Sequence, residues 1–401
     1  MKRMSACVAA IAGAVALLSG CGSKEEVAVA DKPGDKPAAE KKAGVDLSSQ
    51  AAAAAKASGI DLSKGPAGGE LHIYTWSDYI APDVLSGFEK ALGCKIVIDT
   101  FDSNEAMYAK LKAGGTGYDI ITPSSYQIGV MIREKMVVPL DHSKVPNLKD
   151  FDQRFVTQII DPTFKYTVPY CVTYGGLIYR KNKIPKDAAV DSWAILGNPA
   201  LKGRITLLDD IRETIGCALM YLGYSVNSTS QEEIDKATAK ALEWRSNIRK
   251  YDSESYKTEI PSGASYLAYG YSSDSVQVIV GDEDEGMEPR PDIGFVLPKE
   301  GFSIAFDEMV LAANAPRPDL AYAFMNYIYN GEVAKVNMEF ICAPVPVKSG
   351  IDMLDEDYRK LIVLDEQTKA RGQVLKSFDD NPKVMEMYNK AWDRIKATEA
   401  K

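Results

Sequence analysis

The sequence predicts an α/β protein built as two lobes, on three observations. From residue 70 onward, short β-branched and aromatic runs alternate with amphipathic segments of helical period, the pattern of a mostly parallel sheet flanked by helices. That part of the chain is about 330 residues long, more than one hydrophobic core organises and enough for two. The chain is 46% hydrophobic and 26% charged, the composition of an ordinary globular protein.

Ahead of the lobes, residues 1–20 read as an address. Lys2 and Arg3 precede an apolar run over 6–18 that is too short to span a bilayer and has the form of a secretory signal core. The run closes on Leu18-Ser19-Gly20-Cys21, which resembles the lipobox of bacterial lipoproteins. That resemblance implies removal of the signal, a lipid on Cys21, and a protein held in the periplasm or at the cell surface by its lipid anchor only. Losing residues 1–20 takes two positive charges from a net charge of −9, leaving −11. Residues 21–69 are expected to be a flexible tether, since they contain no aromatic and too little apolar surface to offset the entropy of ordering them. Within it the alanine run 51–55 is expected to be helical only transiently, with no face to pack.

Strand 71–76 opens the first lobe, followed by an amphipathic helix over 82–92 that Gly93 stops. Strand 95–101 comes next, then a helix capped by Ser103 with Met107, Tyr108 and Leu111 at helical spacing, then strand 118–122 ended by Pro123. The theme recurs with extended segments 166–170 and 176–180, strand 204–208, a helix over 211–222 ended by Gly223, and a long helix over about 231–250 capped by Ser230. Strands at 275–280, 293–297 and 308–312 follow, with helices at 318–329, 331–340 and 382–398. Lobe 1 is expected to comprise 70–173 plus about 306–343, and lobe 2 174–305 plus about 344–401. Crossings, and hence hinges, are expected near 170–175, 301–307 and 344–346.

Several function classes are disfavoured. The acidic balance argues against nucleic acid, which wants clustered Lys and Arg, and suits a cationic ligand. Cys94, Cys171, Cys217 and Cys342 match no zinc or redox spacing and are expected to be buried thiols. The chain has two histidines and no nucleophile elbow, phosphate loop, dinucleotide fingerprint or metal-ligand spacing, so neither an enzyme nor a cofactor or metal is expected. The acidic stretch 281–286 lacks the alternation of a calcium loop and reads as solvated.

Five motifs carry a resemblance: 71–83 around Trp76-Ser77-Asp78-Tyr79, Phe101-Asp102-Ser103-Asn104-Glu105, 118–126, 207–213 and 298–307. In this order across 70–401 they resemble the periplasmic putrescine- and spermidine-binding proteins of polyamine ABC transporters. The resemblance implies a periplasmic-binding-protein fold with a ligand cleft between its lobes, a polyamine ligand, the permease subunits of an importer as partner, and a monomer. It implies that Trp76 stacks on the ligand while Ser77, Asp78 and Tyr79 line one end. Ser124 and Tyr126 contribute from the turn after the third strand, Tyr271 stands where the family usually has Trp, and Asp274 and Asp307 supply carboxylates to further amines. Asp210 and Glu213, three apart at a helix start, share a face and can meet one ammonium together.

Such residue types answer the ligand's chemistry. Burying a polyamine requires a carboxylate or acceptor at each ammonium and flat apolar walls along the methylenes, and an aromatic face adds about 0.5–2 kcal/mol of cation attraction. By themselves, Trp76 and Tyr79 read as core residues and Asp210 with Glu213 as helix N-terminal charge. The sequence departs from the family at Ile341-Cys342-Ala343-Pro344, where another aromatic often stands. Only Gln367 and Gln373 are candidates for the ligand-binding glutamine of spermidine-type members. Asp210 and Tyr126 are spermidine-like and the 76–82 run is putrescine-like, leaving both amines open. The alternatives are a receptor of the same fold for another cationic or small polar solute, and a polyamine sensor docking on a membrane partner other than a transporter.

Overall fold

The computed structural model describes residues 44–159, 161–281, 287–378 and 381–398. The signal, Cys21, the first part of the tether and acidic residues 282–286 lie outside the described residues. In chain order the elements are α1 (Ser48–Ala57), β1 (Glu70–Trp76), α2 (Pro82–Leu92), β2 (Lys95–Phe101), α3 (Asn104–Lys112), β3 (Ile120–Ile121), α4 (Ser125–Arg133) and β4 (Thr167–Arg180). There follow β5 (Ile205–Leu207), α5 (Ile211–Tyr221), α6 (Gln231–Trp244), β6 (Ile248–Tyr251), α7 (Tyr256–Ser262), β7 (Leu267–Tyr271), α8 (Ser272–Val280), β8 (Ile293–Val296) and β9 (Phe302–Leu311). The chain ends with α9 (Pro318–Ile328), α10 (Gly331–Ile341), short helices α11 (Lys348–Asp352), α12 (Glu356–Ile362) and α13 (Glu366–Lys369), β10 (Gly372–Val374) and α14 (Pro382–Ala397).

The strands form one sheet in the order β2-β1-β3-β9-β4-β7-β5-β6, with β10 on β9 and β8 on β4. Each end is parallel, β2-β1-β3 and β6-β5-β7, as the strand–helix alternation predicts. The middle is antiparallel, because the long strands β4 and β9 pair with each other and link the two ends. Two large hydrophobic cores result, with a smaller third cluster around Tyr74, Phe101, Ile121 and Met131, and the protein is a two-lobed α/β fold. One contains Phe88, Tyr170, Phe306, Phe324 and Met338; the other contains Trp193, Ile215, Ile234, Tyr269 and Tyr388. Strand β4 serves both, contributing Tyr170, Val172 and Tyr174 to the first and Leu177 and Ile178 to the second. The switch falls at Gly175, whose missing Cβ leaves room for Ser303 Oγ and the Tyr269 hydroxyl.

Local signals placed many element ends correctly. Gly93 stops α2 in the left-handed conformation, Ser103 Oγ accepts from Ala106 N at 3.1 Å to start α3, and Ser230 caps α6. Four expectations are corrected. Residues 275–280 belong to helix α8 instead of a strand: β7 already ends at Tyr271, and packing of Ser272, Ser275 and Val276 into the interior overrides the β-branched run. Helix α6 stops at Trp244, six residues short of the expected end, and the Ile248–Tyr251 segment pairs in parallel with β5. The tether does not continue to residue 69, because α1 buries Ala51, Ala54 and Ala55, with Leu47 ahead of it, against α2 and α9. Gly87 permits this approach: a Cβ there would lie 3.0 Å from that of Leu47. Finally, Val345, Val347, Ile351 and Ile362, expected in lobe 2, are buried in the first core.

The thiols of Cys94, Cys171, Cys217 and Cys342 are all buried. No helix among the described residues is long and apolar enough to cross a membrane.

Candidate functional site

One pocket, part of it open to solvent, gathers residues from elements of both cores. All eleven ligand-site residues expected from the sequence line it.

The first group stands on the loop after β1. Trp76 ends the strand with its ring 4.5 Å from that of Phe101, edge to face, and its indole N–H is buried without a hydrogen-bond partner. Ser77 and Asp78 follow, Asp78 in the left-handed region at φ 53°, which Asp tolerates better than most residues. The turn carries Tyr79 back into the interior. Its backbone carbonyl accepts from the Tyr170 hydroxyl, which accepts in turn from Asn337 Nδ2 at 2.6 Å. The Tyr79 hydroxyl donates to Asp307 Oδ2.

Asp307 sits on β9 opposite Ser124, whose Oγ donates to its other oxygen at 2.6 Å. Asn104 fixes this corner by donating to Ser124 Oγ at 3.1 Å and to the Tyr126 hydroxyl at 2.8 Å, while accepting from Ser124 N at 3.0 Å. Burial without a cation pushes the Asp307 carboxyl up to about 6, although both hydroxyl donors pull it down.

The third group is at the start of α5. Asp210 caps the helix, accepting from Arg212 N at 2.7 Å and Glu213 N at 2.9 Å. Glu213 is 1% exposed and accepts from the Tyr269 hydroxyl. Burial, and then the charge of Asp210, push its carboxyl up to about 7, and burial raises Asp210 as well. The intervening Arg212 points elsewhere: its guanidinium lies over the Phe378 ring and donates to Lys376 O and Asn227 Oδ1. Among the described residues this pair therefore has no cation in ion-pair contact, and the charge of Arg212 lowers both carboxyls only through space.

The fourth group comes from β7 and α8. Tyr271 presents a ring to the pocket, and its backbone N–H donates to the Tyr256 hydroxyl at 3.1 Å. That hydroxyl donates to Asp274, whose carboxyl is raised by burial. Sequence reasoning missed Asn104, Gln277, Glu254 and Lys257, all of which line the pocket. Asn104 stood inside a quoted motif, but helix α7, which carries Lys257, had no signal in the sequence. Ile341 forms wall where the family often has an aromatic. Neither glutamine candidate lines the pocket; Gln373 instead accepts from Val226 N at 3.0 Å, and Leu375 takes a place in the wall.

The pocket's acids include Asp78, Asp102, Asp209, Asp210, Glu213, Glu254, Asp274 and Asp307, against a single basic side chain. Its surplus of carboxylates suits it to holding a positively charged solute. A two-lobed α/β chain with such a pocket has the make-up of a solute-binding protein.

Comparison with known proteins agrees. The chain belongs to the bacterial extracellular solute-binding protein family, whose model matches residues 84–359. It is 33% identical over 338 residues to a putrescine/cadaverine-binding protein of Pseudomonas aeruginosa, covering 82% of this chain and 94% of the relative. It is 31% identical over 339 residues to a putrescine-binding periplasmic protein of Escherichia coli, covering 82% and 91%. Among solved structures, a spermidine/putrescine ABC transporter protein of Listeria monocytogenes superposes with a TM-score of 0.74 at 33% identity, covering 82% of this chain and 99% of that one. A lipoprotein of Treponema pallidum gives a TM-score of 0.71 at 26% identity, covering 81% and 99%.

Proposed function

We propose that the protein captures a linear polyamine in this pocket, as a cleft between its lobes, and delivers it to the permease subunits of an ABC importer. One observation carries the reading: buried carboxylates with raised pKa values, contributed from both cores, face one pocket with aromatic walls and almost no basic side chain to neutralise them. A ligand's ammonium groups supply the missing charge. Asp307, steadied by Tyr79 and Ser124, takes one nitrogen; Asp210 and Glu213 take another; Trp76 and Tyr271 flank the methylenes. The relatives named for putrescine, cadaverine and spermidine support the same class.

The lobes on this reading are 44–174 with 302–362, and 175–301 with 375–398. They hinge within β4, where β8 leads into β9, and after β10. A lipid on Cys21 holds the protein outside the cytoplasm, a proposal supported by the Leu18-Ser19-Gly20-Cys21 motif and by the Treponema lipoprotein's likeness.

Isothermal titration with putrescine, cadaverine, spermidine and spermine tests the function. Binding of at least one amine with Kd in the micromolar range or tighter, about −8 kcal/mol, is expected. No binding of any of them at millimolar concentration overturns it.

A further inference from the structure

The single lysine of the pocket sits as a ligand's ammonium would. Lys257 is on α7, packed with the second core, and its Nζ lies 3.4 Å from Glu254, 3.9 Å from Asp78 and 4.0 Å from Asp274. Asp78 comes from the loop after β1 and Asp274 from α8, so the ammonium stands among carboxylates brought from three separate segments. The side chain is 24% exposed, which keeps its stem in the wall and its head in the pocket. A surface lysine pairing only with a sequence neighbour would need only Glu254.

Six of the pocket's eight acids fall into three stations, Asp307, the Asp210–Glu213 pair, and the Asp78–Glu254–Asp274 group, with Asp102 and Asp209 lining the pocket outside them. Lys257 serves the third and reaches neither of the others within ion-pair distance. We propose that Lys257 is a specificity-determining residue, a built-in ammonium that occupies the third station and restricts the pocket to amines carrying two ammonium groups. This rests on the polyamine reading above and deepens it. A diamine fills the two stations left open. A triamine brings a third ammonium to a station whose carboxylates Lys257 already occupies and offsets in part, where it meets like charge and must displace the lysine or leave its own nitrogen poorly paired; either penalty falls only on the longer amine.

Titration calorimetry on the wild type, Lys257→Met and Lys257→Arg with putrescine and spermidine tests this. Methionine keeps an unbranched stem of similar length and removes the charge; arginine keeps the charge. The expected result is that wild type and Lys257→Arg prefer putrescine, while Lys257→Met shifts the spermidine-to-putrescine affinity ratio at least tenfold toward spermidine. An unchanged ratio in Lys257→Met, or an equal loss for both amines, overturns the proposal while leaving polyamine binding intact. A Lys257→Arg variant that shifts the ratio as far as Lys257→Met overturns it too, because charge would not be the determinant. If none of the three proteins binds either amine, the functional reading itself falls, and this inference with it.

Discussion

Replacing Asp307 by Asn pulls function and stability in opposite directions, and both magnitudes follow from the site. The side chain is 5% exposed and is held by the Tyr79 and Ser124 hydroxyls, which an amide can also engage, so the substitution removes charge with little change of shape. In the empty protein that charge is a burden. Its folded pKa of about 6 against an ordinary 3.8 corresponds to about 3 kcal/mol of destabilisation when the group is ionised. Since the folded pKa is the higher one, the penalty is full above pH 6, shrinks as pH falls through the window from about 6 to 4 where only the native state holds the proton, and is absent below it. Asp307→Asn is therefore expected to be more stable than wild type at pH 8 by up to about 3 kcal/mol, with the difference closing toward pH 4. Paired urea unfolding curves at pH 8, 6 and 4 measure this. With a polyamine bound, the same charge becomes an asset: losing a charge-assisted hydrogen bond, worth about 1.5–3 kcal/mol, lowers affinity about ten- to hundredfold at pH 8. A variant that binds polyamine like wild type, or that is destabilised at pH 8 as at pH 4, refutes the assignment of Asp307 as an uncompensated ligand carboxylate.

Two further outcomes are expected. Polyamine binding should release protons and weaken on acidification, because Glu213 and Asp307 take up protons below about 7 and about 6 in the empty pocket and must ionise to meet an ammonium; affinity is expected to fall by up to about tenfold per pH unit for each group below its value, read by calorimetry in buffers of different ionisation enthalpy. Leu47→Ala should cost about 2–5 kcal/mol in unfolding experiments, since Leu47 is 1% exposed within the first core, whereas in a passive tether the same change would stay within about 0.5 kcal/mol.

What the sequence discloses follows the range of the forces involved. Caps act within one turn, so Ser103, Gly93 and Asp210 mark their helix ends without help from the rest of the fold. Helix α1 is different: its alanines have no face to pack until α2 and α9 provide one and Gly87 clears the space, so composition alone makes the segment a tether. Helix α8 likewise carries strand-forming residues and is decided by where β7 ends. The same division runs through the site. Its carboxylates stand in motifs that can be recognised, and they announce a demand for positive charge. How much of that demand the protein meets itself is a tertiary matter. Lys257 lies in a stretch with no motif, and only the convergence of Asp78, Glu254 and Asp274 on its ammonium turns an ordinary helix lysine into part of the pocket's electrostatics. On the proposed reading, ligand class is thus legible from the acids, whereas ligand length turns on the cation that the fold has already placed among them.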